Sequence, residues 1–392
     1  MLFIFLLSTL SIDFAGIKNF YNIEISFIFY ITRSILSIIT LFLTMCFFLT
    51  KSRENYFKNM IVKGIIFIFI VFIFIIINSI LQKTLTIELT VKLITSLGLY
   101  LYILLYGLIN KKFIENFFYV FMTIIIINYF TYLLYPEIGV FKYSSNGIGV
   151  IKGIMANRNS IALIVLPALL LVSYLRINKI LYFVLVSLCY LQLLLTFSAT
   201  AIFIGITVIL LKVVKFKNLK LLTVLSLLAN VSFVALSVFN ESIKTKMNNL
   251  DQNNDIYGGR LEIWETAINN MDFHGLMLGY GQNNFVLTNY LNGLKGTNGV
   301  LINTPMNGII SMIYENGILF LVIIVIYILK TLKINFSNEY YLGLYIPVII
   351  LASIGESFFT FTFTLTFSVF LAWYVLSIKI KSTQFQIPDK IE

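Results

Sequence analysis

The sequence predicts an all-α, polytopic integral membrane protein of about twelve transmembrane helices with one large extracytoplasmic loop. Three observations carry that prediction. Of the 392 residues, 59% are hydrophobic and only 11% charged, against roughly a quarter charged in ordinary soluble proteins. Mean hydropathy is +0.94, and apolar stretches near the ~20 residues that cross a bilayer recur from end to end. Backbone groups find no water partner in hydrocarbon, so such runs must be helices rather than open strands.

The first run, MLFIFLLSTLSIDFAGI, has no basic residue before its apolar stretch and no clear cleavage site. It reads as a short first span and not as a removed signal peptide. Further spans are expected at about 27 to 50, 64 to 82, 92 to 109, 117 to 136, 160 to 176, 180 to 197, 199 to 214, 219 to 240, 305 to 329, 340 to 355 and 358 to 378, from charged and turn residues that break the apolar pattern. Seventeen of the 28 basic residues, among them Lys51, Arg53, Lys111, Lys112, Lys179, Lys212, Lys330 and Lys379, fall on one face when the spans alternate. Positive charge accumulates in short cytoplasmic loops, so both termini are expected in the cytoplasm and the segment from Glu241 to Asn303 outside.

Three regions follow: an N-terminal bundle over 1–240, the outer loop over 241–303, and closing spans with a short tail over 304–392. A loop of that length exceeds what joining two packed helices requires and points to function. After a polar, Asn-rich start it reads GGRLEIWETAINNM, where Leu261, Trp264, Ile268 and Met271 recur at helical spacing. An amphipathic helix from Arg260, lying on the membrane surface, fits that pattern. Glycines at 275, 279 and 281 then predict a tight turn. A second outer loop, Glu137 to Ser160, holds Lys142, Lys152 and Arg158, cations that run against the positive-inside trend.

Several function classes are excluded. Both cysteines, Cys46 and Cys189, lie in apolar runs and His274 is the only histidine, which leaves no Cys/His metal framework. The net charge of +11 reads as cytoplasmic loops and not as a nucleic-acid surface. No P-loop, dinucleotide fingerprint or Asp-x-Asp pair appears, so nucleotide hydrolysis and a nucleotide-sugar donor are not expected. No cofactor and no metal is called for; an activated donor or a gradient must supply the energy.

Four features resemble the O-antigen polymerase/ligase family of bacterial envelope polysaccharide enzymes. The plan of many spans, one large outer loop and a few closing spans is similar. Gly259-Arg260-Leu261 with Trp264, then Gly279-Tyr280-Gly281 with Phe285, resemble the family's Arg-x3-Trp helix and Gly-x-Gly turn. Asn307, Glu315 and Gly317 resemble its string of His-Asn, seven residues, Glu, one residue, Gly; Met306 stands where the family has histidine. Ala156-Asn157-Arg158-Asn159 resembles an Asn-bearing stretch that leads into a span, and the family's later Ser-Arg pair survives only as Ser198-Ala199. The two lost residues favour a polymerase over a ligase. The resemblance implies that repeat units carried on undecaprenyl diphosphate are joined into O-antigen, capsule or exopolysaccharide, in the cytoplasmic membrane, alongside a flippase and a chain-length regulator.

That chemistry needs cations for the departing diphosphate, a base for the acceptor hydroxyl and a groove for lipid. Arg260 and Arg158 are the expected diphosphate ligands, since guanidinium forks match phosphate oxygens; Lys152, Lys142 and Arg33 could add to the field. As base, Glu315 leads, because an ionisable group inside an apolar span is a functional hypothesis by default; His274 and Asp272 follow. Asn307 could bond a sugar or phosphate or link helices, Trp264 could stack on a sugar or sit in the interface, and Glu356 is a further acid. Rival readings are a ligase, a lipid-linked oligosaccharide flippase or transporter, and a sensor or scaffold.

Overall fold

A computed structural model describes residues 25–49, 56–110, 112–142, 149–155, 158–175, 177–214, 218–245, 260–281, 307–331, 343–354 and 368–375. The helices are α1 (Ile25–Leu49), α2 (Tyr56–Leu81), α3 (Ile87–Ile109), α4 (Phe113–Leu134), α5 (Ile161–Tyr174), α6 (Lys179–Leu195), α7 (Ala199–Val214), α8 (Leu219–Phe239), α9 (Arg260–Asn269), α10 (Phe273–Leu278), α11 (Gly308–Thr331) and α12 (Tyr345–Ala352). The sequence marks several of their starts with a short polar side chain that accepts the third amide of the helix, as such caps do. Thr86 accepts from Leu89 N, Asn178 from Leu181 N and Asn218 from Leu221 N.

Among the described residues, five helical stretches are long and apolar enough to cross a membrane: Ile61–Leu81, Leu89–Gly107, Phe113–Leu134, Leu219–Phe239 and Gly308–Lys330. Shorter apolar helices cover Ser34–Thr44, Arg158–Tyr174, Lys179–Leu195 and Ala199–Val214. The span expected at the N-terminus lies outside the described residues, and of the last one only 368–375 is described.

The core runs through α2 to α5, α7, α11, α12 and 368–375. Ile164, Val165, Leu166, Ala168, Leu169, Leu170 and Leu171 of α5 are all fully buried, which makes α5 the centre of the bundle. Lipid and protein interiors are equally apolar, so polar side chains that reach a neighbouring backbone supply specificity between spans. Gln192 donates to the Ile125 carbonyl at 3.3 Å and Tyr129 Oη to the Leu188 carbonyl at 2.7 Å, fixing α6 on α4.

The fold is all-helical apart from one short ribbon among the described residues. Between α4 and α5 the chain forms a two-stranded antiparallel ribbon, β1 (Val140–Lys142) on β2 (Gly149–Ile151), with Phe141 opposite Val150. Val150 and Ile151 are buried and β2 packs on α4 and α6, so the segment expected as a plain loop is seated on the bundle. Asn128 Oδ1 of α4 accepts from the Ile154 amide at 3.1 Å, a polar contact that holds the ribbon's exit.

Candidate functional site

The span that carries Glu315 is broken. Gly317 adopts φ 82 and ψ 165 inside α11, a region essentially reserved for glycine, and the helical ladder cannot run through it. Carbonyls at a helix end need partners from elsewhere. Here the Tyr280 amide donates to the Tyr314 carbonyl at 2.8 Å, the Gly281 amide to the Glu315 carbonyl at 3.0 Å, and Asn78 Nδ2 of α2 also to the Glu315 carbonyl at 3.0 Å. The Gly279-Tyr280-Gly281 turn and the Glu315-Asn316-Gly317 break are therefore one assembly.

The fit is close on both sides. A β-carbon at Gly317 would lie 2.2 Å from the Met277 carbonyl oxygen, and one at Gly279, whose φ is 80°, would lie 2.5 Å from the Asn316 nitrogen. Gly281 sits on the Gln82–Thr84 turn that ends α2. Glu315 lies inside the apolar span as expected, and these contacts show that the span is broken beside it. Glu315 stands at the break, level with the end of α2, and its side chain is half-buried.

Asp272 and His274 open α10. Asp272 is the N-cap, with Oδ1 accepting from the Gly275 amide at 2.6 Å, while its own amide donates to Tyr280 Oη at 2.8 Å. The Gly275 bond, with help from Tyr280, holds this carboxyl below the usual aspartate range. A depressed pKa makes a weaker base, and the geometry assigns Asp272 to the turn. His274, next along, is exposed.

Arg260 begins α9 and is half-buried. The amphipathic helix forms, but its apolar face does not lie on a membrane surface. Leu261, Ile263, Trp264 and Ala267 are buried in one cluster with Val234 and Val238 of α8 and Ile310 and Tyr314 of α11, and Met271 falls beyond the helix end. Trp264 is 1% exposed, edge-on to Phe233 at 6.2 Å, so its ring has no open face for a sugar. On the other side of α9, Glu265 pairs with Lys244 at 2.7 Å.

Asn307 caps α11. Its Oδ1 accepts from the amides of Ile309 and Ile310 at 2.9 and 3.0 Å, while Nδ2 donates to Asn230 Oδ1 at 3.0 Å and to the Ile354 carbonyl at 3.2 Å. Asn230 Nδ2 passes the contact on to the Ile350 carbonyl at 2.8 Å. With 0% exposure and both donors and both acceptor sites engaged, Asn307 ties α8, α11 and the end of α12 together.

Arg158 and Lys152 belong to a second grouping. Arg158 starts the 3-10 turn before α5 and reaches the Thr196 carbonyl at 3.5 Å. Beside it Ser198 Oγ donates to Asn159 Oδ1 at 2.5 Å and accepts from the Ala201 amide at 3.3 Å. The structure thus joins Arg158 and Asn159 to the segment of Thr196 and Ser198. Lys152 is half-buried where β2 ends, its amide bonded to the Gly139 carbonyl at 2.9 Å. Lys142 lies in β1. The side chains of Lys142 and Arg33, and Glu356, Met306, Asn157, Gly259 and Phe285 altogether, lie outside the described residues.

Sequence reading missed Asn78, Asn230 and the Tyr280–Tyr314 contact, whose rings lie 5.0 Å apart. A lone asparagine inside an apolar run was the available signal for the first two. Among the described residues, no three His, Cys, Asp or Glu side chains group to hold a metal ion.

Residues 181–325, from α6 through most of α11, match the family model described as O-antigen ligase. That stretch contains Arg260, Trp264, the Gly279–Gly281 turn, Asn307 and Glu315. No curated protein and no solved structure matches the chain.

Proposed function

We propose that this chain, assigned by its O-antigen ligase domain to the O-antigen polymerase/ligase family, is a membrane glycosyltransferase that polymerises oligosaccharide repeats carried on undecaprenyl diphosphate. The family domain and the apolar helices make it an integral membrane protein of O-antigen ligase or polymerase type. Polymerisation on the outer side of the cytoplasmic membrane is our reading, with 241–303 as the outer loop between the bundle of 1–240 and the closing spans of 304–392.

In the reaction, a hydroxyl oxygen of the acceptor repeat attacks the anomeric carbon of the donor. The bond from that carbon to the phosphate oxygen breaks, and undecaprenyl diphosphate leaves with the electron pair. Arg260 and Arg158 hold the diphosphate, with Lys152 adding to the field. Glu315 takes the hydroxyl proton, with His274 as the other candidate. Asn307 and Trp264, both buried, we assign to supporting the break and α9 and not to touching sugar. The observation that carries this reading is the docking of the Gly279–Gly281 turn on Glu315, with Arg260's helix packed against the same part of α11.

Transfer of a finished glycan to another acceptor is favoured by the match to a family described as O-antigen ligase; Met306 and Ala199, where the family's histidine and arginine stand, favour the polymerase. The broken span is what a transporter would use, but its carbonyls are taken by the turn and by Asn78.

The test is the polysaccharide ladder, with lipid-linked intermediates, from cells lacking the protein. Single repeats at the outer face without long chains are expected. Long chains retained on carrier lipid would make it a ligase, and repeats trapped inside would make it a flippase. Unchanged chain length after Arg260→Ala with Arg158→Ala, the protein being present in the membrane, would overturn the assignment of those arginines.

A further inference from the structure

The turn that receives Gly281 contains an unusual lysine. Helix α2 ends at Leu81, and the next residues close it with two crossed bonds: the Lys83 amide donates to the Ile80 carbonyl at 3.0 Å and the Thr84 amide to the Ser79 carbonyl at 2.9 Å. This is a Schellman motif, in which the residue at Lys83's place takes a left-handed conformation and is usually glycine, sometimes asparagine. Lys83 takes it at φ 56, although a β-carbon there works against that conformation. The side chain is exposed and has no ion-pair partner among the described residues.

The position of the turn gives the lysine a place to act. A β-carbon at Gly281 would lie 2.4 Å from Thr84 Oγ1 and 3.1 Å from Gln82 Cβ, so the residues on both sides of Lys83 touch the Gly279–Gly281 turn. One turn back on α2, Asn78 bonds the Glu315 carbonyl. A lysine is therefore held by its backbone at the rim of the assembly that carries Glu315, in a conformation that a glycine would form with less strain.

We propose that Lys83 is a further substrate-binding residue, whose ammonium holds the diphosphate of the lipid-linked substrate beside the Gly279–Gly281 turn. This rests on the function proposed above. A cation at a helix C-terminus also favours the helix dipole, but any residue of the last turn could supply that without left-handed strain. Lysine acts on phosphate as a point charge, so arginine replaces it in part and glycine not at all.

Because glycine suits this backbone better, Lys83→Gly separates charge from folding. The full chain, in nanodiscs of a zwitterionic phospholipid, is titrated with geranylgeranyl diphosphate and, as control, geranylgeraniol. Wild type is expected to prefer the diphosphate, Lys83→Gly to bind it about tenfold more weakly, the loss of one charge-assisted contact, and Lys83→Arg to stay within a few-fold. The thermal midpoint of Lys83→Gly should be unchanged or raised. Equal diphosphate binding by wild type and Lys83→Gly would overturn the role of Lys83 and leave the proposed function standing. Absence of any preference for diphosphate in wild type would overturn both. If Lys83→Gly leaves diphosphate binding in the zwitterionic discs unchanged and alters only the thermal midpoint in discs of anionic phospholipid, the lysine serves headgroups and the proposal fails.

Discussion

The amide of Gly281 donates to the carbonyl of Glu315 at 3.0 Å, and this bond makes a loop turn part of a broken span. The neighbouring bond, from the Tyr280 amide to the Tyr314 carbonyl at 2.8 Å, satisfies a second carbonyl at the same helix end. A change on either side of this junction therefore reaches the other.

Gly317→Ala should be severely destabilising. The backbone at φ 82 and ψ 165 is strained for any side chain, and the new methyl would meet the Met277 carbonyl at 2.2 Å. Strain of this type costs about 1–3 kcal/mol and the clash adds to it. The thermal midpoint of the full chain in nanodiscs should fall, and membrane abundance with it; an unchanged midpoint would mean that the break is not as described.

Asn307→Ala should cost about 2–4 kcal/mol, because it strands two helix amides and leaves Asn230 Oδ1 and the Ile354 carbonyl without their donor. The double variant with Asn230→Ala should be less destabilised than the sum of the two, by about 0.5 kcal/mol or more, since the residues share one network. Strict additivity in a double-mutant cycle would contradict the bond between them.

These cases show where reading the chain succeeds. Apolar runs such as IALIVLPALLLV around Leu169 are legible because hydrocarbon admits only helices there, and α9 was legible from Leu261 and Trp264 at helical spacing. What covers that face was not, since periodicity shows an apolar stripe but not its partner: Trp264 meets α8 and not lipid. The break at Gly317 was hidden by the apolar residues on either side of it. Asn307 and Glu315 stood out as polar residues in an apolar run, yet only the fold shows that one is fully bonded inside the protein while the other stands at the junction. The ribbon at Val140–Ile151 was too short and too mixed in composition to register as strands.

Acid should loosen α10. Asp272's carboxyl is held below its usual value chiefly by the Gly275 amide, so its capping contribution is present above the ordinary aspartate range and is lost as pH falls through the lower folded value. At neutral pH, Asp272→Asn should keep the cap and Asp272→Ala lose it. Hydrogen exchange at the Gly275 amide reads both; equal protection in all three proteins would remove the cap from the account of this turn.

Glu315 offers the sharpest separation of chemistry from structure. Its carbonyl carries the bonds to Gly281 and Asn78, and those bonds survive any side-chain change that spares the backbone. Glu315→Gln keeps shape and size but removes the proton acceptor. If the carboxylate is the base, chain elongation should fall about 10²–10⁴-fold, the range for general-base loss, with the thermal midpoint and diphosphate binding close to wild type. His274→Gln, at an exposed position on α10, should then change elongation only a few-fold. The reverse pattern, a large loss at His274 and little at Glu315, would move the base to the imidazole and leave the carboxylate as a bystander at the break. Equal, small effects at both would place the proton acceptor on the substrate or elsewhere in the loop, and the base assignment would have to be given up.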